Sequence, residues 1–101
     1  MIARIWEGKT KVEHEKVYEQ FMKERAVPDY SKTAGFVKLL FLKRSDEHFA
    51  YFTLVTFWKD LQVIENFAGK DYETAKYYPE DQNYLLEFPE KVIHYEVFEE
   101  S

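Results

Sequence analysis

Trp58, His14, Tyr72 and Tyr77 are the side chains of this chain best suited to chemistry on a small aromatic molecule. Trp58 closes the uncharged run FAYFTLVTFW; its ring would wall a flat ligand and its indole N–H would orient an oxygen atom. The competing reading, preferred here, is a large core side chain at a strand end. A histidine titrates near neutrality and serves as a general base toward a phenol or as a metal ligand. His14 falls on an apolar helical stripe, His94 alternates with Val92, Glu96 and Phe98, and His48 sits in a polar turn. A hydrogen-bonded structural histidine is the preferred reading for each, least so for His14, whose helix should roof any cavity. Tyr72, Tyr77, Tyr78 and Tyr84 gather around Pro79, where they either line a cavity or pack an irregular segment. Arg4 and Trp6 share one strand face, and a buried arginine would call for a carboxylate or a ligand anion.

Other chemistries lack their residues. There is no cysteine, hence no disulfide, thiolate metal site or cysteine nucleophile. The histidines are too far apart for a helical zinc pair, so no metal site is expected. The three glycines are isolated and form no phosphate loop, and no G-x-S-x-G elbow occurs. A net charge of −5 argues against nucleic acid and anionic membrane surfaces. Part of that excess is a Glu80–Asp81 pair and an acidic tail, both read as solvated. MIARIWEGKTK lacks the apolar core of a signal peptide, and no run approaches a membrane span, so a cytoplasmic protein is expected.

The elements that must position these residues follow from periodicity. Ile2–Lys9 reads as a strand, with Ala3 and Ile5 on one face and Ile2, Arg4 and Trp6 on the other. His14, Tyr18, Met22 and Ala26 recur every fourth residue, so a helix is expected over 11–26, broken at Pro28. FVKLLFLKR and FAYFTLVTFW form a hairpin across Ser45-Asp46-Glu47. Asp60 caps a helix that ends at Gly69. A short helical piece over 71–78, a helical turn over 80–87 that packs Tyr84, Leu85 and Leu86, and a strand over 92–98 complete the chain. Strand, helix, strand, strand, helix, strand is the ferredoxin-like plan: a single α+β domain over residues 1–101 with an antiparallel sheet and helices on one face. FAYFTLVTFW is apolar on both faces, so the uncovered face calls for a second copy, which would close a dimeric α+β barrel.

With that order in place, LVTFWKDLQVIENFAG, together with MIARIWEGKT, DYETAKYYPED and VIHYEVF, resembles the antibiotic-biosynthesis-monooxygenase group of dimeric α+β barrels, in a subgroup mostly without an assigned reaction. The resemblance implies either cofactor-independent oxygenation of polycyclic phenols or oxidative haem breakdown. The haem-degrading pattern has an Asn on the first strand, absent from MIARIWEGK, a Trp where this chain has Phe67, and an iron-binding His where it has Tyr77. Of the phenol-oxygenase pattern, Trp58 is present, while Leu54 and Ile64 replace its polar partner and its Tyr.

The expectation is a cofactor-free homodimer, joined through its sheets, that oxygenates an aromatic or polyketide-like molecule. Its pocket would bring together Trp6, Trp58, Phe67, Tyr72 and Tyr77, with His14 as base. The alternatives are a non-catalytic dimer that holds a small apolar ligand or serves a stress-linked role, and a haem-binding protein.

Overall fold

The computed structural model describes all 101 residues. Strand β1 (Ile2–Lys11) leads through a 3-10 turn (Val12–His14) into helix α1 (Glu15–Ser31). Strands β2 (Phe36–Ser45) and β3 (Phe49–Trp58) form a hairpin, followed by helix α2 (Leu61–Ala68). A strap over residues 69–92, with one 3-10 turn (Pro79–Asn83), then reaches strand β4 (Ile93–Glu96). The sheet order is β2-β3-β1-β4, antiparallel throughout. This is the expected ferredoxin-like α+β fold. No helix is long and apolar enough to cross a membrane.

Alternation along β3 decides which face is covered. Ala50, Phe52, Leu54, Thr56 and Trp58 are buried, and Arg4, Trp6 and Thr10 of β1 extend that layer. Helix α1 lays Tyr18, Met22, Ala26 and Tyr30 across it, one residue per turn at a spacing of four. On the opposite face Leu40, Leu42, Ile93 and Tyr95 remain about half exposed beside Val55 and Phe57.

Several local expectations need correction. Helix α1 starts later than residue 11 because β1 stays paired with β3 as far as Lys11 and Phe49. It also runs through Pro28 to Ser31. The carbonyl that Pro28 leaves without a donor is that of Glu24, on the exposed side, where water serves. Tyr30, packed on Trp58 and Phe67, holds the last turn in place.

Residues 71–78 form no helix. The Tyr72 and Thr74 carbonyls are taken by the Arg4 guanidinium, and Thr74 bridges Lys91, so these backbone groups are committed elsewhere. The turn expected over 80–87 is shorter and buries Leu85 but leaves Leu86 exposed. The last strand is also shorter than expected, and Phe98 lies beyond it, 97% exposed.

Two predicted stop and start signals are present as read. Asp60 accepts a hydrogen bond from the Val63 amide at 3.0 Å, and Gly69 ends α2 at φ 92°. Replacing Asp60 with Ala should therefore lower stability by about 1 kcal/mol in urea titration, the usual cost of a lost cap. An unchanged midpoint would remove the capping role.

Candidate functional site

Two buried ionisable groups, neither facing an opposite charge at hydrogen-bonding distance, lie between the sheet and the elements that cover it. The first is Asp81, 2% exposed, at the 3-10 turn of the strap. Pro79 opens that turn, which places the Asp81 carboxylate over the turn's own start, where it accepts from the Tyr78 amide at 2.7 Å. Its other oxygen accepts from the Tyr18 hydroxyl of α1 at 2.8 Å. Burial raises the Asp81 pKa above the ordinary carboxylate value, and the two hydrogen bonds only partly offset this. Tyr18 is raised as well, by its own burial first and then by the adjacent carboxylate.

Aromatic rings surround this pair. Tyr18 packs on Phe52 and on Tyr84, and Tyr84 meets the His14 ring edge-on at 5.6 Å. Trp6 approaches Tyr77 at 6.2 Å, also edge-on. The Tyr77 hydroxyl donates to the Pro89 carbonyl across the strap. Trp6 Nε1 and His14 Nδ1 are both buried and meet no acceptor in hydrogen-bonding geometry, although the Trp6 indole N–H lies close enough to the Tyr77 hydroxyl to oppose the rise in its pKa. Leaving such groups unpaired is costly, and native proteins do so rarely. Both flank the same aromatic seam, formed by β1, the start of α1 and residues 77–85 of the strap.

The second group is Arg4, also 2% exposed. It donates to the Tyr72 and Thr74 carbonyls and to His94 Nε2 at 3.1 Å, so backbone oxygens and an imidazole stand where a carboxylate was expected. Burial lowers the Arg4 pKa from its usual value, yet a guanidinium remains charged. Tyr30, interior to both centres, is pushed up to about 12, mainly by burial.

These positions divide the residues expected to share one cavity. Trp58 is fully buried, ringed by Tyr30, Phe36 and Phe67 at centroid distances of 6.0, 5.2 and 5.0 Å, and its Nε1 donates to Thr56. Phe67 thus joins Trp58, as expected, but in packing that its own neighbours fill. Tyr72 stands against His94, and Tyr77 against Trp6 and Phe88. His14 follows the end of β1 that pairs with Phe49, whereas Trp58 pairs with Ile2. Along β3 those ends are separated by about 30 Å at the usual strand rise. The expectation of His14 and Trp58 in one cavity is therefore not met: an apolar stripe defines a helix face but not a position along the sheet.

Asp81 was read as half of a solvated pair, and its burial corrects that reading. The signal available was its place two residues after Pro79, where an acid closes back on the turn's first amide. Tyr18 was visible only as one more apolar-stripe residue. Nothing in the sequence pointed to their pairing, since they lie 63 positions apart.

No protein-family model and no curated protein sequence matches the chain. Among solved structures, the chain is similar to an arginine-to-serine mutant of MhuD crystallised with two manganese protoporphyrin IX molecules per active site. The TM-score is 0.64 and the identity 11%, over 100% of this chain and 98% of that one. The likeness shows the fold. It is the α+β fold that the resemblance of the sequence implies.

The raised Asp81 pKa fixes a pH dependence. The folded carboxyl takes a proton before the unfolded one does, so the cost of burying its charge is greatest near neutrality and fades as pH falls through the folded value. Tyr18→Phe removes a donor to the charged form. It should cost about 1–3 kcal/mol at neutral pH and distinctly less at about pH 4. Urea titrations at both pH values check this; an equal loss at both would show that Asp81 does not change ionisation between them, which would overturn the raised pKa.

Proposed function

We propose that the chain is a homodimeric member of the antibiotic-biosynthesis-monooxygenase group that oxygenates a flat phenolic or polyketide-like molecule without a cofactor, in the seam beside Asp81. One observation carries this reading: a buried carboxylate with no cation beside it, bonded to Tyr18 and bordered by the unpartnered Trp6 indole N–H. A carboxylate whose pKa is raised is a stronger base, closer to the phenol it must deprotonate. Tyr18 would take the substrate's phenolic proton as it passes its own to Asp81. The electron-rich phenolate then reduces dioxygen. One oxygen atom replaces ring hydrogen to leave a quinone, the other departs as water, and all four electrons come from the substrate. Trp6 Nε1–H would hold the phenolate oxygen, which gives that buried donor its missing partner.

His14 remains the second candidate base, because Nδ1 is buried without a partner at the other end of the same seam. Two substitutions separate the candidates. With a dihydroxynaphthalene as substrate, Asp81→Asn should lower oxygen uptake above the autoxidation rate by at least 10²-fold, the usual range for a general base. His14→Gln should leave it within a few-fold. The reverse pattern would transfer the role to His14.

The rival reading, a dimer that holds an apolar ligand without turnover, has its own observation: the space expected beside Trp58 is filled by Tyr30, Phe36 and Phe67. A folded wild-type protein that binds the naphthalene and consumes no oxygen would favour it. Haem binding rests on the porphyrin complex of the structural neighbour. Tyr77 occupies the place of the expected ligand, but its hydroxyl donates to the Pro89 carbonyl and burial raises its pKa. Both disfavour a Tyr77 phenolate toward iron, so the residue at that place does not fit haem ligation. A haem titration should give no stoichiometric Soret shift; tight one-to-one binding would reinstate that reading.

The second copy belongs to the same proposal. Leu40, Leu42, Ile93 and Tyr95 are half exposed on one sheet face, and burying side chains of this size is worth roughly 1.5–3 kcal/mol each when complete. The face also carries Lys9 and Arg44 beside Glu7, so both signs are available to a self-complementary contact. Light scattering at micromolar concentration should give twice the chain mass. A stable folded monomer there would overturn the dimer.

A further inference from the structure

The Arg4 centre takes no part in the Asp81 chemistry, and its geometry has a consequence for His94. A guanidinium carries only donors, so His94 Nε2, which faces Arg4 Nη1 at 3.1 Å, must accept. The proton of the neutral ring then sits on Nδ1. Burial and the neighbouring cation both lower the His94 pKa, with Glu73 opposing them, so the imidazole stays neutral. No side chain or backbone oxygen of the protein accepts from Nδ1–H.

His94 lines a groove of about 570 Å³ between β4 and the strap, walled by Ile2, Leu61 and Tyr72 and edged by Ile93 and Tyr95, which the proposed dimer would cover. That volume suits a ligand of two or three rings. Lys91 at the rim and Arg4 behind His94 oppose Glu73 and Glu96, so the surroundings carry two charges of each sign and select neither an anion nor a cation.

We propose that this groove binds a neutral, mostly apolar molecule whose single carbonyl oxygen, that of a ketone, ester or amide, accepts a hydrogen bond from His94 Nδ1. Arg4 is the positioning residue: it fixes the tautomer from behind and, as a buried cation, polarises the ring toward donation. The site is separate from the Asp81 seam and uses neither oxygen nor a base.

The test is nitrogen NMR of the histidine rings in the intact protein, with 1-indanone as the carbonyl probe and indane as its control. Before any ligand is added, His94 should show the Nδ1–H tautomer from pH 6 to 8. Indanone should shift the His94 Nδ1 resonance and bind at least fivefold more tightly than indane. In His94→Phe, which keeps an aromatic wall and removes the donor, the two probes should bind alike. An Nε2–H tautomer in the wild type, equal affinity for the two probes, or no His94 response to millimolar indanone would each overturn the proposal. The tautomer is read on the unaltered protein, so a variant that fails to fold does not spare it. Loss of oxygen uptake in Asp81→Asn has no bearing on any of these outcomes.

Discussion

The hydrogen bond from Tyr18 to Asp81 joins the long helix to a strap that has almost no regular structure of its own. Residues 69–92 could not cover the end of the sheet by burial alone, because Leu85 and Val92 are their only buried apolar side chains. Polar ties supply the rest. Tyr78 donates to Asp29 of α1, Arg4 of β1 holds the Tyr72 and Thr74 carbonyls, and the Leu86 amide donates to Lys9. Each tie takes an ionisable or carbonyl group away from water, so each is worth having only while the others keep water out. The Asp81 carboxylate is the most exacting of them, since its charge has no partner cation and depends on two donors.

This arrangement explains why the two aromatic clusters differ in character. Around Trp58 the indole is answered: it donates to Thr56, and Tyr30, Phe36 and Phe67 close on the ring. Around Trp6, also buried, the indole is left unanswered. Two tryptophans on paired strands, Trp6 opposite Leu54 and Trp58 opposite Ile2, thus serve a candidate site and packing respectively. The side chain with the stronger family resemblance is the one committed to packing.

The strands and both helices were legible because their patterns are local. The uncharged aromatic and β-branched run FAYFTLVTFW, a stripe at every fourth residue from His14, and an acid before Leu61 each specify an element from adjacent residues. The strap was not legible for the opposite reason. Its Tyr-rich segment has helical composition, but its carbonyls are claimed by Arg4, 68 and 70 positions away, and no local pattern encodes that. The candidate site inherits the same opacity. Trp6 and His14 were named, whereas Asp81 was taken for surface charge because its partner Tyr18 is remote in sequence. A buried Arg4 calls for a carboxylate or a ligand anion, and its partners are instead carbonyls and an imidazole.

The ties of the strap span long stretches of sequence, Arg4 with Tyr72, Thr10 with Leu85 and Tyr18 with Asp81, and only the β1–β4 pairing spans more. Each closes a large chain loop, an entropic cost met before any contact is gained. The β2–β3 hairpin needs only its short turn, in which Asp46 accepts from the His48 and Phe49 amides. Loop closure therefore favours assembly from the hairpin outward, with the strap and β4 last to settle and first to loosen. The cover over the interior beside Asp81 is thus the part of the chain that can open while the hairpin and α1 stay intact.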